Sequence, residues 1–212
     1  MKENITGMDN IEFTAVILAA GSGSRAGGYK PLWRSDGGVV IDRVIEAALS
    51  TCSRIRIVGG CAFDRLKTHV DGLENEKITL VYNKDWERGM FSSIQSGFEG
   101  MNTPVFVHPA DIFGVSSGVY TALAAQVRDV HSLSVVRPRF GQRVGHPILL
   151  MPSVVKAVCE AQNDTNLRAI LMGFPKYDIQ VDDEFILDDF DTAVEFKKLT
   201  EQMRIKRKGS NR

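Results

Sequence analysis

The apolar run over residues 13–18 breaks directly into six small residues: Ala19, Ala20, Gly21, Ser22, Gly23 and Ser24. A run of that kind suits a strand buried on both faces, as in parallel sheets. Small residues straight after it let the backbone approach a ligand closely and aim N–H groups at anionic oxygens. Two cations follow, Arg25 and Lys30, and Pro31 stops any helix begun in the loop. Residues 16–32 therefore read as a loop that wraps the phosphates of a nucleoside triphosphate, with two positive charges set against them.

Two other glycine motifs fit less well. Gly21-x-Gly23-x-x-Ala26 has the spacing of a dinucleotide fingerprint, which needs a helix at the glycines and an acidic residue about 20 positions on. Here Gly27, Gly28 and Pro31 occupy the helix, and the next apolar strand ends in Gly59-Gly60. Gly23 and Gly28 have the spacing of a P-loop, but Tyr29 displaces Lys30 by one and no Ser or Thr follows to hold magnesium.

The rest of the chain alternates short apolar segments with helical periodicity. Strands are expected over 54–58, 78–82, 104–107, 133–136, 147–150 and 177–181. Helices are expected over 39–49, 63–70, 89–101, 115–127, 152–161, 167–172 and 192–203, the last with Val194, Phe196, Leu199 and Met203 on its apolar side. Residues 137–143 read as a polar excursion. Such alternation argues for an α/β domain whose mostly parallel sheet is covered on both faces. One domain over 13–204 is expected, with a disordered terminus over 1–12 and a basic tail over 205–212.

Charge limits the partners. The chain carries 26 basic and 26 acidic residues, but five of the basic ones fall at positions 204–212 with no acidic residue among them. The remainder holds 21 basic against 26 acidic residues, a poor general surface for nucleic acid. Cys52, Cys61 and Cys159 fit no metal or redox spacing and read as reduced thiols. No signal peptide and no run of about 20 apolar residues is present, so no membrane partner is expected and the expected location is cytoplasmic.

In an open parallel sheet, ligands bind beyond the carboxyl ends of the strands. Three such ends carry suggestive residues. One is the glycine loop. A second reads Asn83-x-x-Trp86-x-x-Gly89-Met90-x-Ser92-Ser93, where Ser92 and Ser93 either cap a helix or face a ligand. The third is Asp111, a carboxylate just past an apolar strand, placed either to cap a turn or to hold a magnesium ion on triphosphate oxygens.

Leu18-Ala-Ala-Gly-x-Gly-x-Arg25, followed by Gly28-x-Lys30-Pro-Leu, resembles the signature of the MobA-like NTP transferase family. These enzymes transfer a nucleoside monophosphate from a triphosphate and release pyrophosphate. The Asn83 to Ser93 segment is similar to the molybdenum cofactor cytidylyltransferase branch. The resemblance implies a single-domain, Rossmann-like three-layer α/β/α nucleotidyltransferase fold, Mg²⁺ as cofactor, CTP favoured as donor and a phosphorylated small-molecule acceptor, molybdopterin first. A sugar phosphate, alditol phosphate or phosphocholine as acceptor, and a nucleotide-binding module without turnover, are the alternatives. It also implies catalytic roles for Arg25, Lys30 and Asp111. Nucleotide contacts would come from Leu18, Ala19, Ala20, Gly21, Gly23, Asn83, Gly89, Met90 and Ser93.

Three further segments match the family pattern in part. Asp111 fits the Asp of Asp-x-Pro, with Phe113 in the proline's place. Gly145-His146-Pro147 fits a motif on the acceptor side. In Asn163-Asp-x-x-x-Arg168 only Asp164 and Arg168 match, so acceptor binding is assigned to Gly145, His146 and Arg168. The segment Asp188-Asp189-Phe190-Asp191-Thr192 would give a second metal carboxylate, Asp189 or Asp191, and a helix cap, Asp191 or Thr192; Asp189 is assigned to the metal and Asp191 to the cap.

Overall fold

The computed structural model describes residues 11–23, 27–162 and 164–210. The terminal residues 1–10, 211 and 212 thus lie outside the described residues, as do Arg25 and Asn163. At the centre is β1 (Thr14–Ala19), buried along its whole length. The hairpin β2 (Arg34–Ser35) and β3 (Gly38–Val39) leads into α1 (Val40–Leu49), and then the alternation sets in. β4 (Arg54–Gly59) is followed by α2 (Phe63–Asp71), β5 (Ile78–Tyr82) by α3 (Met90–Phe98), and β6 (Val105–Pro109) by α4 (Ser117–Ala124). β1 pairs in parallel with β4 and β6, and β5 extends the sheet beyond β4.

Period-two alternation along β1 builds the two cores. Ala15, Ile17 and Ala19 join one cluster with residues of α1, α2, α4 and the C-terminal helix. Val16 and Leu18 join the other, with Ile94 and Phe98 of α3 and Val154, Val155 and Val158 of α5 (Pro152–Glu160). The result is the expected three-layer arrangement.

The second half breaks the parallel rhythm. β7 (Val135–Phe140), β8 (Arg143–Val144) and β9 (Ile148–Leu150) form an antiparallel set, with β9 between β6 and β7. After α5 and the short α6 (Leu167–Leu171), β10 (Lys176–Gln180) pairs in parallel with β7. The full order is β10-β7-β9-β6-β1-β4-β5, with β8 on β7.

Two expected boundaries move furthest. The strand expected to end at Val136 runs on to Phe140. Its polar Arg137 is a cross-strand partner, 2.7 Å from Asp178 of β10, and opposite charges across a ladder stabilise a strand as apolar pairs do. The last helix, α7 (Ala193–Ser210), extends seven residues past the expected end at Met203 and takes in most of the expected basic tail. Lys and Arg are good helix formers and suit the negative end of the helix dipole. Phe196, Leu199 and Met203 are buried as expected, whereas Val194 points to solvent.

Helix α3 lies unusually close to the sheet. A Cβ at Gly97 would stand 2.5 Å from Val16 Cγ1 and 2.9 Å from Val58 Cγ2. Under β6, the fully buried His108 donates from Nε2 to the Ile112 carbonyl (2.7 Å) and accepts at Nδ1 from the Tyr120 hydroxyl. Burial pushes its pKa from 6.5 down to about 3, only partly opposed by the Ile112 hydrogen bond.

Gly97→Ala should lower unfolding free energy by about 1–3 kcal/mol, the usual cost of overpacking. Urea denaturation would show a lower midpoint at an unchanged slope. The folded state of His108 binds its proton more weakly than the unfolded chain does. Its contribution to stability is therefore complete above about pH 6.5 and is lost as pH falls towards about 3. NMR ring shifts of His108 should stay those of a neutral imidazole between pH 7 and pH 5; titration in that interval would contradict the assignment.

Candidate active site

The carboxyl ends of β1 and β6, together with the start of α3, border a cavity of about 420 Å³. Of the residues expected at the site, Leu18, Ala19, Ala20, Gly21, Gly23, Lys30, Gly89, Met90, Ser93 and Asp111 all line it. The loop that leaves β1 is tied down on three sides. The Leu18 carbonyl accepts from the Ala110 N–H (3.0 Å), the Ala20 carbonyl from the Cys61 N–H (3.1 Å), and the Ala19 carbonyl from the buried Tyr29 hydroxyl. Gly23 has a φ of +62°, and a Cβ there would collide with the Gly28 carbonyl, so the return of the loop requires glycine. Arg25, the other expected cation, lies outside the described residues.

Lys30 follows at the start of a short 3₁₀ turn (Lys30–Leu32). Its ammonium is 2.7 Å from Asp191 Oδ1 and 3.3 Å from Asp111 Oδ2, with a side chain only 12% exposed. The two carboxylates, 31% and 48% exposed, come from distant parts of the chain. Burial pushes the Asp111 carboxyl up. The charge of Lys30 and its hydrogen bond oppose that, and the charge of Asp189 adds to it.

Aromatic packing brings these charges together. Phe113, in the place of the family's proline, is 1% exposed. It packs edge-on to Phe190 (5.5 Å between centroids) and against Phe196 (5.6 Å). Trp33 closes on both of those rings from the Lys30 side. The Lys30 ammonium itself stands 5.2 Å over the Phe190 ring. The substitution at Phe113 thus fastens the Asp111 loop to the Asp191 segment.

Asp191 therefore has a different place from the expected cap. The cap of α7 is Thr192, whose Oγ1 accepts from the Glu195 N–H at 3.2 Å. Glu195 reaches back to the N–H groups of Thr192 and Asp191, completing a capping box. The pattern Thr-x-x-Glu is legible in the sequence and frees the Asp191 carboxylate to face the cavity. Asp189 is exposed and does not line the cavity, although its charge is felt at Asp111 and His146.

Asn83, expected to touch nucleotide, is instead behind the wall. It is 2% exposed. Its Nδ2 donates to Ser92 Oγ (2.9 Å) and Ser93 Oγ (3.0 Å), and its Oδ1 accepts from the Asp85 N–H (3.0 Å). The side chain fixes the turn that presents Trp86, Gly89 and Met90 to the cavity. Gly89, with φ at +98°, makes the sharp entry into α3.

The expected acceptor residues lie apart from this cavity. Gly145 is packed against Ile186 so closely that a Cβ would strike its carbonyl, which makes the glycine structural. The His146 ring has its pKa lowered, by burial first, while a hydrogen bond to the Val107 backbone and the charge of Asp189 push it back up. Arg168 is exposed on α6.

Asp111 and Asp191 suit a divalent cation. Both already converge on one cation, both offer hard oxygen donors, and both are partly open to the cavity. Among the described residues no group of three or more His, Cys, Asp or Glu could hold a metal by itself.

Comparison with known proteins bears on the family and the fold. The chain matches the MobA-like NTP transferase domain over residues 15–179. It is 26% identical over 182 residues to the molybdenum cofactor cytidylyltransferase of Escherichia coli (strain K12), covering 85% of this chain and 92% of that one. A nucleotidyl transferase from Methanothermobacter superimposes with a TM-score of 0.75 at 17% identity, covering 93% and 100% of the two chains. A Mycobacterium tuberculosis H37Rv protein in complex with manganese superimposes at 0.71 and 17% identity, covering 90% and 98%. Among the described residues no helix is long and apolar enough to cross a membrane.

Asn83→Ala should cost about 1–3 kcal/mol, because it leaves the Asp85 N–H and two serine hydroxyls without their buried partner. Urea denaturation measures that loss. Nucleotide affinity, measured on the folded variant, should fall with it as the Trp86 to Met90 wall loosens.

Proposed function

The chain belongs to the MobA-like NTP transferase family and is a nucleotidyltransferase, and we propose that it moves CMP from CTP onto a phosphorylated small-molecule acceptor, molybdopterin first. The observation that carries this reading is the meeting of Lys30, Asp111 and Asp191 at the open end of the glycine-loop cavity. A relative named as a molybdenum cofactor cytidylyltransferase supports the choice of base and of acceptor.

The reaction needs no general base. An oxygen of the acceptor phosphate, already anionic, attacks the α-phosphorus of the triphosphate. The bond from that phosphorus to the bridging oxygen breaks, and pyrophosphate leaves with the electron pair. The obstacle is repulsion between anions, so catalysis is positioning and charge neutralisation. The glycine loop holds the triphosphate by its backbone. Lys30 meets the α-phosphate and the incoming phosphate. Arg25, by family resemblance, meets the β and γ oxygens. Asp111 and Asp191 would hold magnesium, which would supply positive charge to neutralise the phosphate oxygens. Asp189 stands near enough to tune Asp111 by its charge.

Cytosine is distinguished by hydrogen bonds to its edge, and a site built for one pattern leaves polar groups unpaired against another. The rigid backbone at Leu18 to Ala20 and the wall held by Asn83 are the surfaces available for that contact.

Pyrophosphate release, measured with each of the four NTPs, magnesium and a panel of acceptors, tests the proposal. CTP with molybdopterin should exceed every other pair; turnover with GTP alone would overturn the choice of base. Lys30→Ala should reduce kcat by about 10²–10³, far more than it weakens CTP binding, the loss typical of one preorganised contact to developing charge. A raised KM at unchanged kcat would reduce Lys30 to a binding residue. Asp111→Ala should remove most of the magnesium dependence of CTP binding in calorimetry.

A further inference from the structure

The Lys30 ammonium occupies the position between two carboxylates that, on the reading above, are the metal's. It is 2.7 Å from Asp191 and 3.3 Å from Asp111, and the Phe190 ring lies beneath it at 5.2 Å. An ion pair this sheltered is not idle. A divalent ion that reached Asp111 and Asp191 in the absence of nucleotide would stand beside an ammonium with no anion to receive it. At separations of a few ångströms that repulsion is worth far more in a half-buried site than in water.

The geometry points to an exchange of partners: Lys30 is the resident counter-cation of Asp111 and Asp191, and it gives them up only when a metal-bound triphosphate enters. The metal then takes the carboxylates, and the triphosphate takes the ammonium. Both charges change partners at once, so neither is left buried and alone. This inference rests on the metal role of Asp111 and Asp191, and it adds an order of binding: the metal arrives on the nucleotide rather than before it. Phe190 gives the mechanism its precision. The ring faces the Lys30 ammonium itself, a contact that does not depend on either carboxylate. The ammonium therefore has only to turn from carboxylate to phosphate.

The consequence is that Lys30 opposes bare metal while favouring metal–triphosphate. Residue types that bind cooperatively with both would not show this inversion. Lys30→Met removes the charge and keeps most of the length of an unbranched side chain. Lys30→Arg keeps the charge.

Binding of Mn²⁺ alone is followed by electron paramagnetic resonance, and binding of Mn²⁺ with a non-hydrolysable CTP analogue by calorimetry. Circular dichroism confirms that each variant is folded. Lys30→Met should bind bare Mn²⁺ at least about tenfold more tightly than the unaltered protein, as expected when a neighbouring unit charge is removed. It should bind the Mn²⁺–analogue complex more weakly. Lys30→Arg should bind bare Mn²⁺ as weakly as the unaltered protein does. Equal bare-metal affinity in Lys30→Met and the unaltered protein overturns the exchange, and so does tight bare-metal binding by Lys30→Arg. If the unaltered protein binds the analogue without any dependence on Mn²⁺, the metal role of the carboxylates falls, and the exchange falls with it.

Discussion

Three charged side chains from positions 30, 111 and 191 meet because aromatic rings meet underneath them. Phe113, Phe190, Phe196 and Trp33 pack at centroid distances of 5.0 to 5.6 Å. Each ring belongs to the same short stretch as one of the charges, or to the helix that follows. Burying those rings stabilises the fold and, as a by-product, sets the distances among the charges. Aromatic side chains are suited to this, since they bury large areas with few rotatable bonds. The convergence is costly by itself, because two carboxylates and an ammonium are drawn out of water. The apolar cluster supplies what the charges cannot, and the pairing of opposite signs limits the penalty.

This division of labour explains which parts of the site were legible in the sequence. β1 and its glycine loop were plain, because a doubly buried strand and a small-residue loop each need particular residues in order. Asp111 was legible from its place at a strand end. Asp191 was less so. Alternating acidic residues around Phe190 do not say which faces the cavity, until Thr192 and Glu195 are recognised as a capping box that needs no help from Asp191. Phe113 departs from the proline of the family pattern. Its gain is in partners about 80 residues away, which no local pattern reveals.

Asn83 marks a different kind of limit. Its residue type and spacing suit a ligand contact, yet all its polar atoms are turned inward. A buried amide with its donors and acceptor satisfied acts as a brace, and sequence alone does not separate a brace from a contact. The strand β7 was underestimated for a related reason. Arg137 looked like loop chemistry because its partner, Asp178, lies on a strand that arrives 41 residues later.

The bracing of the glycine loop bears on how the site can move. Neighbours on three different segments each hold one carbonyl: Ala110 that of Leu18, Tyr29 that of Ala19, and Cys61 that of Ala20. The loop at the end of β1 therefore cannot shift without breaking contacts to β6, to the return of its own loop, and to the turn after β4. If phosphates are bound here as proposed, their seat is organised before the ligand arrives, and little ordering entropy remains to be lost on binding. Adjustment is left to the side chains, above all to Lys30, whose long stem can turn from carboxylate to phosphate while the backbone stays in place. Rigidity in the loop and mobility in one ammonium are then two halves of the same arrangement. On the proposed reading, the backbone fixes where the triphosphate lies, and the lysine answers to its arrival.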